Sequence, residues 1–69
     1  MELKYYKNLK KLRIEKSLTI KELSKITGIS ERVIENIEDQ LTSNHSIDKI
    51  AKLAEALDVS VDDFVNKDL

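Results

Sequence analysis

The chain has one glycine and no proline in 69 residues. These two residues are the commonest breaks in a helical chain. Glycine enters left-handed backbone without a side-chain clash, and proline removes an amide hydrogen the helix needs. With so few breaks, the position of the single glycine matters. Gly28 sits inside "KELSKITGISERVIENIE", Lys21 to Glu38, between two apolar-periodic runs. A helix that must end sharply places its next residue in the left-handed region, and Gly28 is suited to that. Ser30 then offers an N-cap for the following helix. Two helices joined by Gly28 to Ser30 leave no room for an extended crossover, which is the signature of a helix-turn-helix. Ile29, within the join, is too apolar to be left in water.

The rest of the pattern is helical too. Tyr6, Leu9 and Leu12 fall at three-residue steps, and Tyr5 and Ile14 widen the stripe, so residues 2–16 read as an amphipathic helix. Lys7, Lys10 and Lys11 fall outside that stripe and face solvent or a partner. Thr19-Ile20-Lys21-Glu22 is a capping box, which starts a second helix near Ile20. That helix is expected to bury Leu23 and Ile26. The third runs to about Asp39 or Gln40 with Ile34 and Ile37 inward and Val33 exposed. "LTSNHS", residues 41–46, reads as a loop, and Ser46 caps a fourth helix carrying Ile47, Ile50, Leu53, Ala54 and Leu57 on one side. Asp58 is a left-handed stop less favourable than Gly or Asn. Ser60 caps a last short helix anchored by Phe64 and Val65. No segment reads as a strand, so the expected fold is a five-helix all-α bundle.

Length allows one small domain over residues 1–69, with a small core. There is no cysteine, so neither a disulfide framework nor a thiolate metal site is available. No apolar run approaches the ~18 residues of a membrane span, and "MELKYYKNLKK" lacks the apolar core of a secretory signal. The expectation is a soluble cytoplasmic protein with no membrane association. Net charge is −1 and announces no polyanion partner, but the distribution is uneven. Residues 1–16 hold Lys4, Lys7, Lys10, Lys11, Arg13 and Lys16 against Glu2 and Glu15. Residues 55–69 hold Lys67 against Glu55, Asp58, Asp62, Asp63 and Asp68. Two solvated helix faces would account for this.

"LRIEKSLTIKELSKITGISERVIENIE" followed by "IAKLAEALDVSVDDF" resembles the phage repressor and Cro type of helix-turn-helix regulator, the lambda-repressor-like family. The resemblance runs from about Leu9 to Phe64. It rests on features taken jointly: Leu12-Arg13, Glu22-Leu23-Ser24, Gly28-Ile29-Ser30, Ile37-Glu38, and the stretch Leu53 to Asp62. It implies a helix-turn-helix over about 20–39 whose third helix lies in the DNA major groove. It also implies that Arg13 and Glu38 pair within the fold, where Arg13 alone would suggest a phosphate contact. Ser24 falls where the family keeps a small residue so that helix three can approach. Tyr5 and Tyr6 could stack on bases, but at helical spacing beside Leu9 they read as packing.

Arg32 and Asn36, four apart, share one face of the third helix. Arginine can grip guanine O6 and N7, asparagine adenine N6 and N7, and an acid such as Glu31 can accept from cytosine N4. The resemblance places Glu31, Arg32 and Asn36 at positions that commonly read base edges. Glu31 also lies in a first helical turn, where the dipole favours an acid regardless of function. Candidate phosphate contacts are Thr19, Ile20, Lys21, Ser43, Asn44 and Lys49, with the amides opening helices two and four and with Lys10 and Lys11 as additions. The ordinary alternative for each lysine is a solvated surface residue.

Several features count against DNA. The third helix carries Glu31, Glu35, Glu38 and Asp39 against Arg32, which costs affinity for a polyanion. Ile20 stands where the family usually has glutamine, Gln40 where glycine commonly ends helix three, and His45 where proline is common. The rival reading is a protein-interaction module that keeps the fold but binds a regulatory protein partner. An enzyme is a poor third reading: His45 is the only histidine, and no metal-ligand spacing such as His-Glu-x-x-His is present. No cofactor and no metal are expected. The resulting expectation is a small sequence-specific regulator of double-stranded DNA, repressor-like. Family members often bind as two-fold dimers, and Val61, Phe64, Val65 and Leu69 are the candidate homodimer surface, although core packing accounts for at least Phe64.

Overall fold

Four of the five helices among the described residues begin on a hydroxyl. In the computed structural model, which describes residues 4–40 and 46–69, the helices are α1 (Tyr5–Glu15), α2 (Ile20–Thr27), α3 (Glu31–Glu38), α4 (Ile47–Ala56) and α5 (Val61–Asn66). Thr19, Ser30, Ser46 and Ser60 sit at the N-caps of α2 to α5, and each side-chain oxygen accepts from the amide three residues on. That bond satisfies one of the amides a helix start leaves free. α1 has no side-chain cap.

The helix ends depend on left-handed backbone. Gly28 has φ 76°, and among the described residues three others that are not glycine, Ser17, Gln40 and Asp58, have φ between 56° and 60°. Each of the three costs free energy that glycine would not, because their Cβ crowds the backbone there. α5 ends differently. Its last carbonyls are met from α1: the Lys4 amide donates to Val65 O (2.7 Å), and the Asn8 side-chain amide donates to Phe64 O (2.8 Å) and Lys67 O (2.7 Å). Asn8 Oδ1 accepts from the Leu69 amide at 3.2 Å. A buried amide side chain is tolerable only when its polar atoms are bonded in this way.

α1 packs on α3 and α5, α2 on α3 and α4, and α4 on α5. Between them lies one cluster in which Leu9, Leu23, Ile34, Leu53, Leu57 and Phe64 are fully buried. Tyr5 meets Phe64 edge to face with ring centroids 6.5 Å apart, as packing rather than as a free stacking platform. No helix among the described residues is long and apolar enough to cross a membrane.

Several sequence expectations need correction. Ile26 is 60% exposed, Ile47 66% and Ile14 56%, although periodicity put all three inward. In α2 the inward pair is Leu23 and Thr27, four apart; the Thr27 hydroxyl donates to Leu23 O at 2.8 Å, which makes it fit for burial. Val33, expected outside, is half-buried and packs against the core. Phe64, by contrast, is fully buried, in keeping with the core role expected of it, and so it belongs to no dimer surface. The basic beginning and acidic end are solvated, and they also touch at one point. Lys4 and Lys7 lie 3.7 and 3.8 Å from Asp68, and Lys11 Nζ donates to the Leu69 carbonyl.

Candidate nucleic-acid interface

The bend between α2 and α3 is bonded from both sides. The Gly28 amide donates to Ser24 O at 2.8 Å, and the Ser24 hydroxyl donates to Ile29 O at 2.6 Å. Thr27 Oγ1 accepts from the Ile29 amide at 3.2 Å, and Ile29 itself is buried in the core. A Cβ at Gly28 would meet nothing within 4 Å, so the bend needs glycine for its positive φ and not for space. The turn thus sets the direction in which α3 leaves.

α3 is sharply two-faced. Ile34 and Ile37 are buried at 0% and 1% exposure, which fixes the rotation of the helix about its axis. Glu31, Arg32, Glu35 and Asp39 are then exposed, while Asn36 is half-buried at the margin of the outer face. Glu38 turns inward. Its carboxylate accepts from Arg13 Nε at 2.7 Å and from Nη2 at 3.1 Å, and Arg13 Nη1 donates to Leu18 O at 2.9 Å. Both side chains are largely buried, with 13% and 5% exposed. The hydrogen bonds that Arg13 donates to Glu38 hold its guanidinium more firmly protonated than usual, against the opposing effect of burial. Arg13 is therefore committed inside the fold, and the outer face of α3 offers one cation, Arg32, among three acids.

The flanks of α3 supply the remaining groups. Thr19 and Lys21 are exposed at the start of α2, and Ile20 is half-buried. The capping box is formed: Thr19 Oγ1 accepts from the Glu22 amide at 3.0 Å, and Glu22 Oε1 accepts from the Thr19 amide at 2.9 Å. The Thr19 hydroxyl still has its own hydrogen to donate, and the Ile20 and Lys21 amides begin the helix. The bond that the Thr19 amide donates to the Glu22 carboxyl, and then the Thr19 side chain, hold that carboxyl below the usual glutamate range. Sequence reading took Glu22 only as a cap. Its carboxylate also sets a negative charge beside the first amides of α2. Lys49 is exposed in the first turn of α4. Ser43 and Asn44, like His45, lie outside the described residues. Lys10 is exposed, whereas Lys11 is engaged by Leu69.

The comparisons agree with this geometry. A family model described as a helix-turn-helix domain matches residues 6–68. Among solved structures, a chain of the SinR protein/SinI protein complex is similar, with 31% identity and a TM-score of 0.85. The match covers 90% of this chain and 60% of that one, so this chain spans about three-fifths of the length of its structural match. No curated protein matches it. Five helices, a left-handed bend between the second and third, and a family match over nearly the whole chain together establish that the chain belongs to the helix-turn-helix domain family.

Proposed function

We propose that the chain is a sequence-specific DNA-binding transcriptional regulator of the phage repressor and Cro type, repressor-like in action, that lays α3 in the major groove. The observation that carries this reading is the position of Arg32. It is exposed on the outer face of a helix whose rotation is fixed by Ile34 and Ile37 and whose direction is fixed by the Gly28 bend. Arg32 grips guanine O6 and N7, Asn36 contacts adenine from the edge of the same face, and Glu31 accepts from cytosine N4. The amides of Ile20 and Lys21, with the side chains of Thr19, Lys21 and Lys49, hold flanking phosphates. Ser43 and Asn44 complete the phosphate set. The protein works in the cytoplasm and acts without cofactor, metal or catalysis.

The exposed acids Glu31, Glu35 and Asp39 favour a second reading, in which the outer face of α3 binds a regulatory protein. The similar solved chain comes from a complex of two proteins, which is compatible with such a role. Selection of bound duplexes from a random library separates the two. Enrichment of a short motif, with affinity falling steeply as salt rises, supports the DNA reading. Failure to enrich any motif rejects it in favour of the protein partner.

A further inference from the structure

Residues 67–69 lie against α1 as an extended strap, held from one stripe of that helix. Lys67 leaves α5 with extended backbone, at φ −99° and ψ 145°. Lys4, Lys7, Asn8 and Lys11 stand three or four apart on α1 and its N-cap, so they share a face. Asp68 lies 3.7 Å from Lys4 Nζ and 3.8 Å from Lys7 Nζ. Leu69 is gripped by both polar groups of its main chain: its amide donates to Asn8 Oδ1 at 3.2 Å, and its carbonyl accepts from Lys11 Nζ. The Leu69 side chain is half-buried and packs against the core. Two ammonium groups thus take an acid, an amide oxygen and a third ammonium take the main chain of the next residue, and an apolar seat takes its side chain.

We infer that this stripe of α1 is a binding site for an extended segment of a partner protein, one with an acidic residue followed by an aliphatic one, and that Asp68 and Leu69 fill it in cis until such a segment takes their place. Two observations mark the strap as a replaceable occupant. Its charged contacts are outer ones: the Asp68 side chain is 71% exposed and that of Lys7 57%, so the ion pair between them is cheap to break. Asn8, by contrast, is 2% exposed. When the strap lifts, Asn8 Nδ2 keeps its bonds to Phe64 O and Lys67 O, but Oδ1 loses the Leu69 amide. A buried acceptor left in that state demands another N–H, and an incoming extended main chain supplies one at the same place. Lys4 and Lys7 select the side chain that precedes it, because they attract an acid and repel a cation. None of these residues belongs to α2, the bend or α3, so the site stands apart from the DNA reading.

The probe is an N-acetylated, C-amidated peptide with the sequence of residues 66–69, Asn-Lys-Asp-Leu. The receptor is the full chain with its own strap displaced by Asp68→Lys and Leu69→Asp. Titration followed by nuclear magnetic resonance should show saturable shifts centred on the Asn8 side-chain amide and on the main-chain amides of Lys7 and Lys11. The unmodified chain should bind the same peptide about tenfold more weakly, because its strap competes at an effective concentration on the millimolar scale. A peptide with lysine in place of the acid should not bind. Adding Lys7→Ala or Lys11→Ala to the receptor should weaken binding about two- to fivefold each. Circular dichroism of the receptor should match that of the unmodified chain. If the double variant loses helix, Asp68→Lys alone serves as the receptor, since that side chain is exposed. A receptor that binds no peptide at about 10 mM, well above the effective concentration of the strap, overturns the proposal. So does equal affinity in the unmodified chain, or binding indifferent to reversal of the acid.

Discussion

Arg13 Nε lies 2.7 Å from Glu38 Oε2, and that contact ties the last turn of α1 to the last turn of α3. α3 is only eight residues long and could not hold its own direction in water. Ile34 and Ile37 set its rotation and the Arg13–Glu38 pair secures its far end. Removing one partner leaves the other charge largely buried, so Glu38→Ala should destabilise the fold by about 3 kcal/mol. Urea unfolding measures this. A loss under 1 kcal/mol would mean that solvent reaches the guanidinium and that the seam is looser than described.

Asn8 does the corresponding work at the other end of α1. Its side chain makes three hydrogen bonds to Phe64, Lys67 and Leu69 and is 2% exposed. Asn8→Ala should cost about 2–3 kcal/mol, at roughly 1 kcal/mol per bond with carbonyls left unmet. Hydrogen exchange should locate the loss: the Leu69 amide should lose protection more than the amides of α3. Uniform loss across the chain would show instead that the substitution simply lowers global stability.

The three left-handed stops that are not glycine permit the opposite experiment. Gln40→Gly and Asp58→Gly should each stabilise the chain by about 0.5–1 kcal/mol, the relief of the Cβ clash exceeding the added freedom of the unfolded chain. Gly28→Ala should destabilise by about 1 kcal/mol or more although there is room for the methyl group. Thermal unfolding of the three variants checks the signs. A neutral Gly28→Ala would imply that the bend can be made at negative φ.

The sequence made the five rods and the bend legible because their signals are local. A hydroxyl three residues before an amide, an apolar residue every third or fourth place, and a lone glycine all act within one turn. What it hid depends on contacts between distant segments. Asn8 stands at a buried place in the stripe of Tyr5, Leu9 and Leu12, so periodicity alone could have flagged it, but its partners lie 56 to 61 residues away. Ile26, expected inside, stands exposed, and Thr27 takes the inward place with its hydroxyl bonded to Leu23 O, because the packing of α2 against α3 and α4 sets the rotation of the helix. The outer face of α3 was readable as a list of residues. The half-burial of Asn36 required coordinates.

Glu22 gives a pH dependence whose sign follows from its bonds. Its folded carboxyl titrates below the ordinary glutamate value of 4.5, first because it accepts the Thr19 amide hydrogen. The carboxylate therefore stabilises α2 fully above that ordinary value, and the contribution fades as pH falls through the lower folded value. Glu22→Gln should be less stable than the unmodified chain at neutral pH and should converge on it in acid. Parallel pH-dependent unfolding curves for the two proteins would show that the capping box carries no proton linkage.

Arg32 and its acidic neighbours make separable predictions for DNA. Arg32→Ala should cost about 1–3 kcal/mol at the selected site and relax the base preference at one position, because a bidentate contact to guanine carries discrimination. Lys21→Ala or Lys49→Ala should weaken all duplexes alike and flatten the salt dependence by about one unit of slope each. Glu35→Gln should act in the reverse sense, raising affinity for every sequence by removing a charge that faces the polyanion and leaving preference unchanged. Titration of the selected duplex and a scrambled one at several salt concentrations reads all three effects. If Arg32→Ala weakens both duplexes equally, Arg32 is a phosphate contact, and sequence is read elsewhere on the outer face of α3.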